Sequence, residues 1–105
     1  MKKTTLNILS ICGALTYSSI NLSAQTISAG TAHSAALCSS DSIVRDWGAN
    51  GNGQLGINDT TEQNTPVMVH GPGNVGFMKS VKQIVIRENF SVALRYDSTV
   101  WAWGF

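Results

Sequence analysis

Charged residues, cysteine and long hydrophobic runs are all scarce in this 105-residue sequence. Only 12% of the residues are charged, and the formal net charge is +1. Binding to DNA or RNA depends on several Lys or Arg side chains that neutralise phosphates, so this balance predicts no nucleic-acid partner. Two cysteines are too few for a disulfide-rich small fold. No apolar run approaches the roughly 20 residues that a membrane-spanning helix needs.

The first 24 residues have the layout of a secretory signal peptide. Lys2 and Lys3 precede an apolar stretch at 6–15, and the small residues Ser23 and Ala24 follow it. We expect cleavage after Ala24, a secreted or cell-surface location, and no membrane attachment of the mature chain.

Two further consequences follow from this segment. A lipoprotein signal is disfavoured, because the residue before Cys12 is the large Ile11 and lipidated cysteines normally follow a small residue. Removal of 1–24 takes away two of the seven basic residues and leaves five against six acidic ones. It also removes one of the two cysteines, so no intrachain disulfide is expected in the mature chain.

The remaining chain contains an internal repeat. The segment 27–37 matches 84–94 with an offset of 57 positions, and 41–48 matches 97–104 with an offset of 56. A period of this length is typical of propellers and other arrays, in which each unit buries its apolar faces against its neighbours. We place a first repeat at 25–69 and a second, truncated repeat at 70–105.

Short runs rich in Val, Ile, Phe and Trp predict β-strands and no long helix. The predicted strands cover 33–38, 43–47, 66–69, 81–86, 90–95 and 99–103. Asp41-Ser42 and Asp97-Ser98 separate neighbouring runs, and Asp can hydrogen-bond its own backbone in a tight turn, so we expect two hairpins there. Several short strands with regularly spaced turns favour an all-β fold.

Three segments resemble the regulator of chromosome condensation repeat: 29–37, 44–56 and Pro66-Val67. The most specific part is Trp47-Gly48-Ala49-Asn50-Gly51-Asn52-Gly53-Gln54-Leu55-Gly56. The resemblance implies a partial β-propeller with about one and a half four-stranded blades, from a propeller that usually has about seven in this family. The remaining blades are then needed for a closed fold, and we expect the isolated piece to fold poorly because strand edges stay open.

The repeated residues have an architectural character, since the glycines let the backbone turn and the large apolar side chains fill space between blades. They are Gly30, His33, Ser34, Leu37, Trp47, Gly48, Asn50, Gly53, Gln54, Leu55, Gly56, Pro66, Leu94, Trp103 and Gly104. The resemblance implies that His33 is a structural side chain that hydrogen-bonds inside its blade. The second copy departs from the pattern with Arg87 in place of Gly30 and Phe90 in place of His33.

Several motifs could in principle bind a cofactor or a metal or carry out catalysis, but each lacks the neighbouring residues that such a site needs. The glycines at 51–56 fit a dinucleotide fingerprint, but no helical pattern follows them. The same segment lacks a carboxylate at the first position of a calcium loop, where Gly48 stands. Neighbouring strand residues face opposite ways, so His33 cannot easily serve Ser34 as a base. His70 has no second ligand at zinc spacing. We therefore predict no catalytic, cofactor-binding or metal-binding residue.

Three functions remain open. The preferred one is a non-enzymatic extracytoplasmic module that contacts an unknown protein or cell-surface partner through variable propeller loops. The family name suggests guanine-nucleotide exchange on a small GTPase, but the signal peptide and the absence of a basic face count against it. A third possibility is an accessory or inhibitory propeller of a secreted enzyme.

Overall fold

The fold was obtained as a computed structural model that describes residues 24–105. The described chain forms seven strands in two antiparallel sheets, with one short 3-10 turn at Pro72–Asn74. The predicted all-β class is confirmed, and the two sheets are partial blades that pack face to face. The predicted signal peptide lies outside the described residues except for Ala24, so it stays a prediction.

The first sheet has the order β1–β2–β3–β4, and each strand is antiparallel to its neighbour. Its strands are β1 (Ala24–Ala29), β2 (His33–Cys38), β3 (Val44–Gly48) and β4 (Gln63–Met68). The register pairs Ala35 with Asp46 and Leu37 with Val44, and all four of these residues are buried. Because alternate strand residues share a face, these pairs define the face that packs on the second sheet.

The second sheet repeats the first three strands as β5 (Val81–Arg87), β6 (Phe90–Arg95) and β7 (Val100–Gly104). The buried pair Ile84 and Ala93 lies towards the first sheet, whereas Val85 and its partner Val92 lie on the opposite face. Within 24–105 the second sheet has no counterpart of β4, so β7 is an edge strand.

Two matching turns confirm the predicted hairpins. The Asp41 carboxylate accepts a hydrogen bond of 3.0 Å from the Ile43 backbone N–H, and Asp97 accepts one of 3.0 Å from Thr99. The intervening residues, Ser42 and Ser98, have φ values of 55° and 68°. The carboxylate therefore replaces a backbone acceptor in each turn, as expected for Asp in that place.

Apolar side chains from both sheets form one core. Its buried members are Ala35, Leu37, Val44, Val69, Met78, Val81, Ile84, Ile86 and Ala93, with Trp103 packed against them. β1 and β2 contact β5, so the core lies between the sheets rather than within either one. Neither sheet could bury this surface alone, which is the property expected of stacked repeats.

The connection between the sheets is a short hairpin-like loop. Val69 and Met78 are joined by a backbone hydrogen bond of 2.8 Å, and His70 forms an isolated antiparallel bridge with Phe77. The rings of His70 and Phe77 meet edge to face, with centroids 6.3 Å apart. The loop between the sheets is thus ordered by its own backbone hydrogen bonds.

All six predicted strands are present, with ends shifted by up to three residues at β4, which begins at Gln63 rather than Pro66. The prediction missed β1 as a strand. The β1 sequence has a single large apolar residue, Ile27, and that side chain is 64% exposed. β1 is therefore defined by its pairing with β2 and not by apolar alternation.

Cys38 is fully buried and disulfide-bonded. This state of Cys38 departs from the expectation that it forms no intrachain disulfide.

Candidate functional site

Asn50 holds the long loop between β3 and β4 in shape. Its buried Nδ2 lies 2.9 Å from the Asp59 carbonyl oxygen, 3.1 Å from the Asp59 carboxylate and 3.0 Å from the Thr61 carbonyl oxygen. Its Oδ1 accepts a 3.0 Å hydrogen bond from the Leu55 N–H. One amide group therefore ties together the start, middle and end of a loop whose other residues are mostly exposed and polar.

The rest of the motif shapes the same loop. Gln54 and Leu55 are buried, and the Gln54 side-chain oxygen accepts a 2.8 Å hydrogen bond from the Asn52 backbone. Gly53 and Gly56 have φ values of 71° and 63°, which favour glycine. The motif therefore folds back on itself and leaves Asn52 facing outwards.

A buried hydrogen-bond chain crosses between the two sheets. His33 Nε2 lies 3.0 Å from the Ser91 hydroxyl oxygen, and that hydroxyl donates a 3.1 Å hydrogen bond to the Gln54 carbonyl oxygen. A hydroxyl has one proton, so Ser91 accepts from an Nε2–H of His33. The resemblance placed the hydrogen bond of His33 inside its own blade; the structure instead directs it to the second sheet.

Burial lowers the pKa of His33, and the nearby Glu88 backbone carbonyl partly offsets this by favouring the protonated ring. The ring is 3% exposed and Ser91 is fully buried. His33 and Ser91 thus form a neutral structural contact to which a substrate has no access, and the triad interpretation of His33 with Ser34 gains no support from this contact.

Asp46 is a second buried polar residue at this junction. It is completely buried, and its carboxyl oxygens have no hydrogen-bond partner in the described part of the chain. Burial raises the pKa of Asp46 well above its ordinary value, while the indole N–H of Trp103 from the second sheet acts weakly in the opposite direction. The Trp103 Nε1 atom is itself buried without a well-formed hydrogen bond in 24–105. The Asp46 carboxyl group therefore faces an indole across the interface, in surroundings that favour its protonated form.

The hairpin turns carry two ion pairs. Arg45 Nη2 lies 2.8 Å from the Asp41 carboxylate, and Arg95 Nη1 lies 3.8 Å from Asp97. Partial burial raises the pKa of Asp41, but hydrogen bonds from Arg45 and the Ile43 backbone outweigh it and hold the pKa below its usual value. These pairs neutralise part of the turn end of the sheets, defined by residues 39–43 and 96–99.

The opposite end, which we call the loop end, consists of residues 30–32, 49–62 and 88–89. Backbone hydrogen bonds join these segments, from Thr31 N to Glu88 O at 3.2 Å and from Ala49 N to Ala32 O at 2.9 Å. Asp59, Glu62 and Glu88 are all exposed there. Both ion pairs found in the described residues lie at the turn end, so the loop end presents acidic charge to solvent.

The other predicted repeat residues divide between two faces. Leu37, Trp103, His33 and Gln54 meet at the inter-sheet junction, with Gly30 close to the Glu88 carbonyl and Ile86. Trp47 packs away from the second sheet on Ala36 and Cys38. Ser34, Pro66 and Leu94 are half-buried, whereas Gly104 is exposed; Gly48 and Gly104 have matching φ values of 109° and 102°. The structure therefore brings together about half of the predicted set.

A cavity of about 260 Å³ opens between the sheet connection and β7. Its walls include Asn58, Val69, His70, Met78, Trp101 and Trp103, and none of its lining residues carries a formal charge with His neutral. His70 is half-buried in this wall, and its Nδ1 contacts the Asn74 side-chain oxygen. In residues 24–105 no group of His, Cys, Asp and Glu could hold a metal ion. The described chain also has no helix of the length and apolarity that crossing a bilayer requires.

Residues 46–94 match the family model for the regulator of chromosome condensation (RCC1) repeat. The match covers just under half of the 105 residues and agrees with the resemblance seen in the sequence. The match begins at the buried Asp46, runs through the Asn50 loop and ends on β6, so one RCC1 repeat spans both sheets of the described chain.

Solved propeller structures share this fold. Human WBSCR16 matches with a TM-score of 0.68 and 20% identity over 83% of this chain and 21% of its own. A structure of Kap60 bound to yeast RCC1 (Prp20) matches with a TM-score of 0.65, 24% identity, and coverage of 87% and 19%. Prp20p from Saccharomyces cerevisiae, described with its binding to Gsp1p and histones, gives 0.65 and 23% over 85% and 19%. The chain spans about a fifth of each of these chains, and the likeness shows the fold.

Ser91 is a residue of this site that the sequence did not single out, and Asp46 and Asp59 were expected to have no catalytic or metal-binding role. Ser91 aligns with Ser34 at an offset of 57 positions, and this recurrence could have identified it as a junction residue. Asp46 aligns with Ala102 at an offset of 56, so the repeat alignment offered no indication of it. Asp59 lies in the irregular loop, where its role depends on the Asn50 amide.

Proposed function

We propose that this chain is a non-enzymatic binding or scaffold module that acts outside the cytoplasm and contacts a protein or cell-surface partner through its loop end. The observation that carries the proposal is the Asn50 network, which gives a polar, exposed loop a fixed shape without enclosing a reaction site. A rigid scaffold that presents ordered loops is typical of binding sites.

The charge of the loop end supports a basic partner surface. Asp59, Glu62 and Glu88 are exposed, and Arg87 is the one basic residue near them. Complementary charge increases association rates and selects partners more than it adds affinity. We therefore expect binding to weaken as the salt concentration rises.

The family supports a protein partner in general. Yeast RCC1 is seen with Kap60 bound, and the study of Prp20p concerns Gsp1p and histones. The extracytoplasmic location rests on the signal-peptide pattern at 1–24, with Lys2 and Lys3 before the apolar stretch. That pattern, together with the lack of a basic face, leads us to prefer this role over nucleotide exchange. An accessory propeller of a secreted enzyme would use the same loop end.

A photo-crosslinking residue at Asn52 tests the binding surface. Asn52 is exposed at the loop end, and the matched control is Tyr96, which is 57% exposed at the turn end. In cells that export the chain, we expect a discrete protein or polymer adduct from position 52 and none from position 96. The additional change Glu62→Gln should lower the adduct yield. Adducts from position 96 alone would contradict the assignment.

A fusion of residues 1–24 to a reporter that is active only outside the cytoplasm tests the location. We expect activity and a mature chain that begins at Gln25, as read by N-terminal sequencing. Deletion of 6–15 from the fusion should abolish export. A reporter that stays in the cytoplasm with residues 1–24 intact would contradict the extracytoplasmic role.

A further inference from the structure

The loop between β3 and β4 contains both Asn-Gly pairs of the sequence, Asn50-Gly51 and Asn52-Gly53. In such a pair the backbone nitrogen of the glycine can attack the side-chain amide of the asparagine, because glycine has no Cβ to hinder the approach. A Cβ atom built at Gly51 or Gly53 would meet nothing within 4 Å, so the surrounding chain crowds neither glycine. The two pairs therefore differ mainly in the state of the asparagine side chain.

The fold protects the side chain of Asn50, which is 1% exposed. Its Nδ2 lies 2.9 Å and 3.0 Å from the carbonyl oxygens of Asp59 and Thr61, and its Oδ1 accepts a 3.0 Å hydrogen bond from the Leu55 N–H. Attack by the Gly51 nitrogen would require the amide to leave all of these partners. Such an opening is a local unfolding event, so the reaction is slowed in proportion to the small open population.

The side chain of Asn52 has the opposite surroundings. It is exposed and has no hydrogen-bond partner among residues 24–105, while its backbone N–H donates a 2.8 Å hydrogen bond to the Gln54 side-chain oxygen. The Gly53 N–H donates a 2.9 Å hydrogen bond to the Asn50 carbonyl oxygen, and this bond must break before the nitrogen can react. A single turn hydrogen bond opens more readily than the network around the Asn50 amide.

We propose that Asn52 is a site of spontaneous modification, which converts to aspartate or isoaspartate through a succinimide while the buried Asn50 is preserved. A base removes the Gly53 N–H proton, and the nitrogen forms a bond to Asn52 Cγ. The Cγ–Nδ2 bond then breaks, and ammonia leaves after taking a proton from water. Water opens the ring by cleaving one of its two C–N bonds: cleavage at Cγ gives aspartate, and cleavage at the main-chain carbonyl carbon gives isoaspartate. The reaction needs no co-reactant other than water.

Either product changes the charge of the loop end. A carboxylate replaces a neutral amide at position 52, and a carboxylate is ionised at neutral pH. The acidic side chains of the loop end are already exposed, so the new charge adds to an acidic surface. Isoaspartate also routes the main chain through Cγ and so moves the Gly53 N–H away from its acceptor. This chemistry belongs to the loop itself, so the inference does not depend on the proposed function.

The test is incubation of the full chain at neutral and mildly alkaline pH in water enriched in a heavy oxygen isotope, followed by proteolysis and tandem mass spectrometry. Ring opening incorporates one solvent oxygen atom, so the label identifies the modified residue. In the folded chain we expect conversion of Asn52 to be at least about tenfold faster than that of Asn50. The rate should rise with pH, because a base removes the proton from the attacking nitrogen.

The same chain unfolded in guanidinium chloride is the control for local sequence. The segments at 49–51 and 51–53 read Ala-Asn-Gly and Gly-Asn-Gly, so they differ only in one small residue. Unfolding removes the protection of Asn50, and the two rates should then agree within about twofold. This comparison uses one unchanged polypeptide and so does not depend on how a variant folds.

Two variants identify the source of the charge change. Asn52→Gln keeps an exposed amide but would have to close a less favourable six-membered ring, so the acidic band that forms with time in isoelectric focusing should be lost. Asn64→Gln is the matched control, because Asn64 is exposed but precedes the β-branched Thr65, and its acidic band should match that of the parent. Circular dichroism checks the strand content of both variants.

Several outcomes would overturn the inference. Equal conversion of Asn50 and Asn52 in the folded chain would show that burial gives no protection, and conversion of neither would show that the loop is not reactive. A rate ratio that stays the same on unfolding would assign the difference to sequence rather than to the fold. An acidic band that persists in Asn52→Gln would place the charge change at another residue.

Discussion

His33 Nε2 and the Ser91 hydroxyl oxygen lie 3.0 Å apart, and each belongs to a different sheet. Ser91 is the second-repeat counterpart of Ser34, and it contacts the histidine of the preceding repeat. The second repeat has Phe90 at the histidine position, and Phe90 is 38% exposed. Phe90 cannot make the hydrogen bond that His33 makes. The histidine–serine contact is therefore specific to the junction between these two sheets.

Ser91→Ala should destabilise the chain by about 1 to 3 kcal/mol, because it leaves the His33 donor and the Gln54 carbonyl buried without partners. Urea unfolding followed by circular dichroism measures the change. The matched control is Ser40→Ala at an exposed position of the turn end, which should shift stability by less than about 0.5 kcal/mol. Equal midpoints for the two variants would contradict the junction role.

Protonation of His33 should oppose folding. Burial lowers its pKa below the ordinary value of 6.5, so the unfolded chain binds a proton that the folded chain does not. This contribution to stability is complete above pH 6.5 and is lost as the pH falls below it. His33→Gln keeps a donor for Ser91 but cannot titrate, so its free energy of unfolding should vary less than that of the parent between about pH 7 and 5. A parallel pH dependence in both proteins would contradict this account.

The contribution of Asp46 to the free energy of unfolding should depend on pH in the opposite direction to that of His33. Burial raises its pKa above the ordinary value of 3.8, so the folded chain retains a proton that the unfolded chain has released. Its contribution to stability is therefore largest at low pH and is lost as the pH rises from 3.8 towards the folded pKa. Asp46→Asn removes this loss and should gain stability relative to the parent as the pH rises.

The matched control for Asp46→Asn is Asp97→Asn. Hydrogen bonds from the Thr99 side chain and backbone lower the pKa of Asp97, so the parent gains stability over this variant as the pH rises. When unfolding is followed between about pH 2 and 7, the parent should gain on Asp97→Asn as the pH rises to about 4, whereas Asp46→Asn should gain on the parent above about pH 4. A shared direction would show that Asp46 is not buried as described.

The repeat pattern and the turn chemistry predicted most of the strands and both Asp hairpins, but not the contacts at the junction between the sheets. Short strand-like runs and the Asp turns between them located β2, β3, β6 and β7. The inter-sheet contacts join residues far apart in sequence, such as Ser91 and Gln54, and depend on how the sheets stack. Local pattern contains no information about that stacking angle, so it could not reveal the partner of His33.

The hydrogen-bond partners of the loop motif could not be predicted from the sequence either. Its residues were identified by resemblance as architectural, but the acceptors of Asn50 are backbone carbonyls and the Asp59 carboxylate. Every residue has a backbone carbonyl group, so the sequence does not show which carbonyl accepts the hydrogen bond. The type of residue was thus predictable, whereas its set of partners was not.

Asn50→Ala should cost about 2 to 4 kcal/mol, because it removes several hydrogen bonds and leaves the Leu55 N–H buried without an acceptor. Asn52→Ala is the control, since that side chain is exposed in the same loop and only its backbone N–H is used. Hydrogen exchange at the Leu55 amide should be faster in Asn50→Ala and unchanged in Asn52→Ala. Similar exchange in both variants would contradict the central role of Asn50.

Alanine variants at Gly56 and Gly53 distinguish the cost of backbone strain from the cost of a steric clash. Both have positive φ, 63° and 71°, so alanine at either one costs about 1 to 2 kcal/mol in backbone strain. A Cβ atom at Gly56 would lie 2.8 Å from Trp103 Cδ1 and 2.8 Å from Val69 Cγ1, whereas one at Gly53 meets nothing within 4 Å. Gly56→Ala should therefore exceed Gly53→Ala by a further 1 to 3 kcal/mol or so in urea unfolding, the usual range for overpacking. Trp103→Phe in the Gly56→Ala background should recover part of the loss if the contact with the indole is responsible. Equal costs for the two glycine variants, with no recovery, would mean that the second sheet does not approach Gly56 as closely as the structure shows.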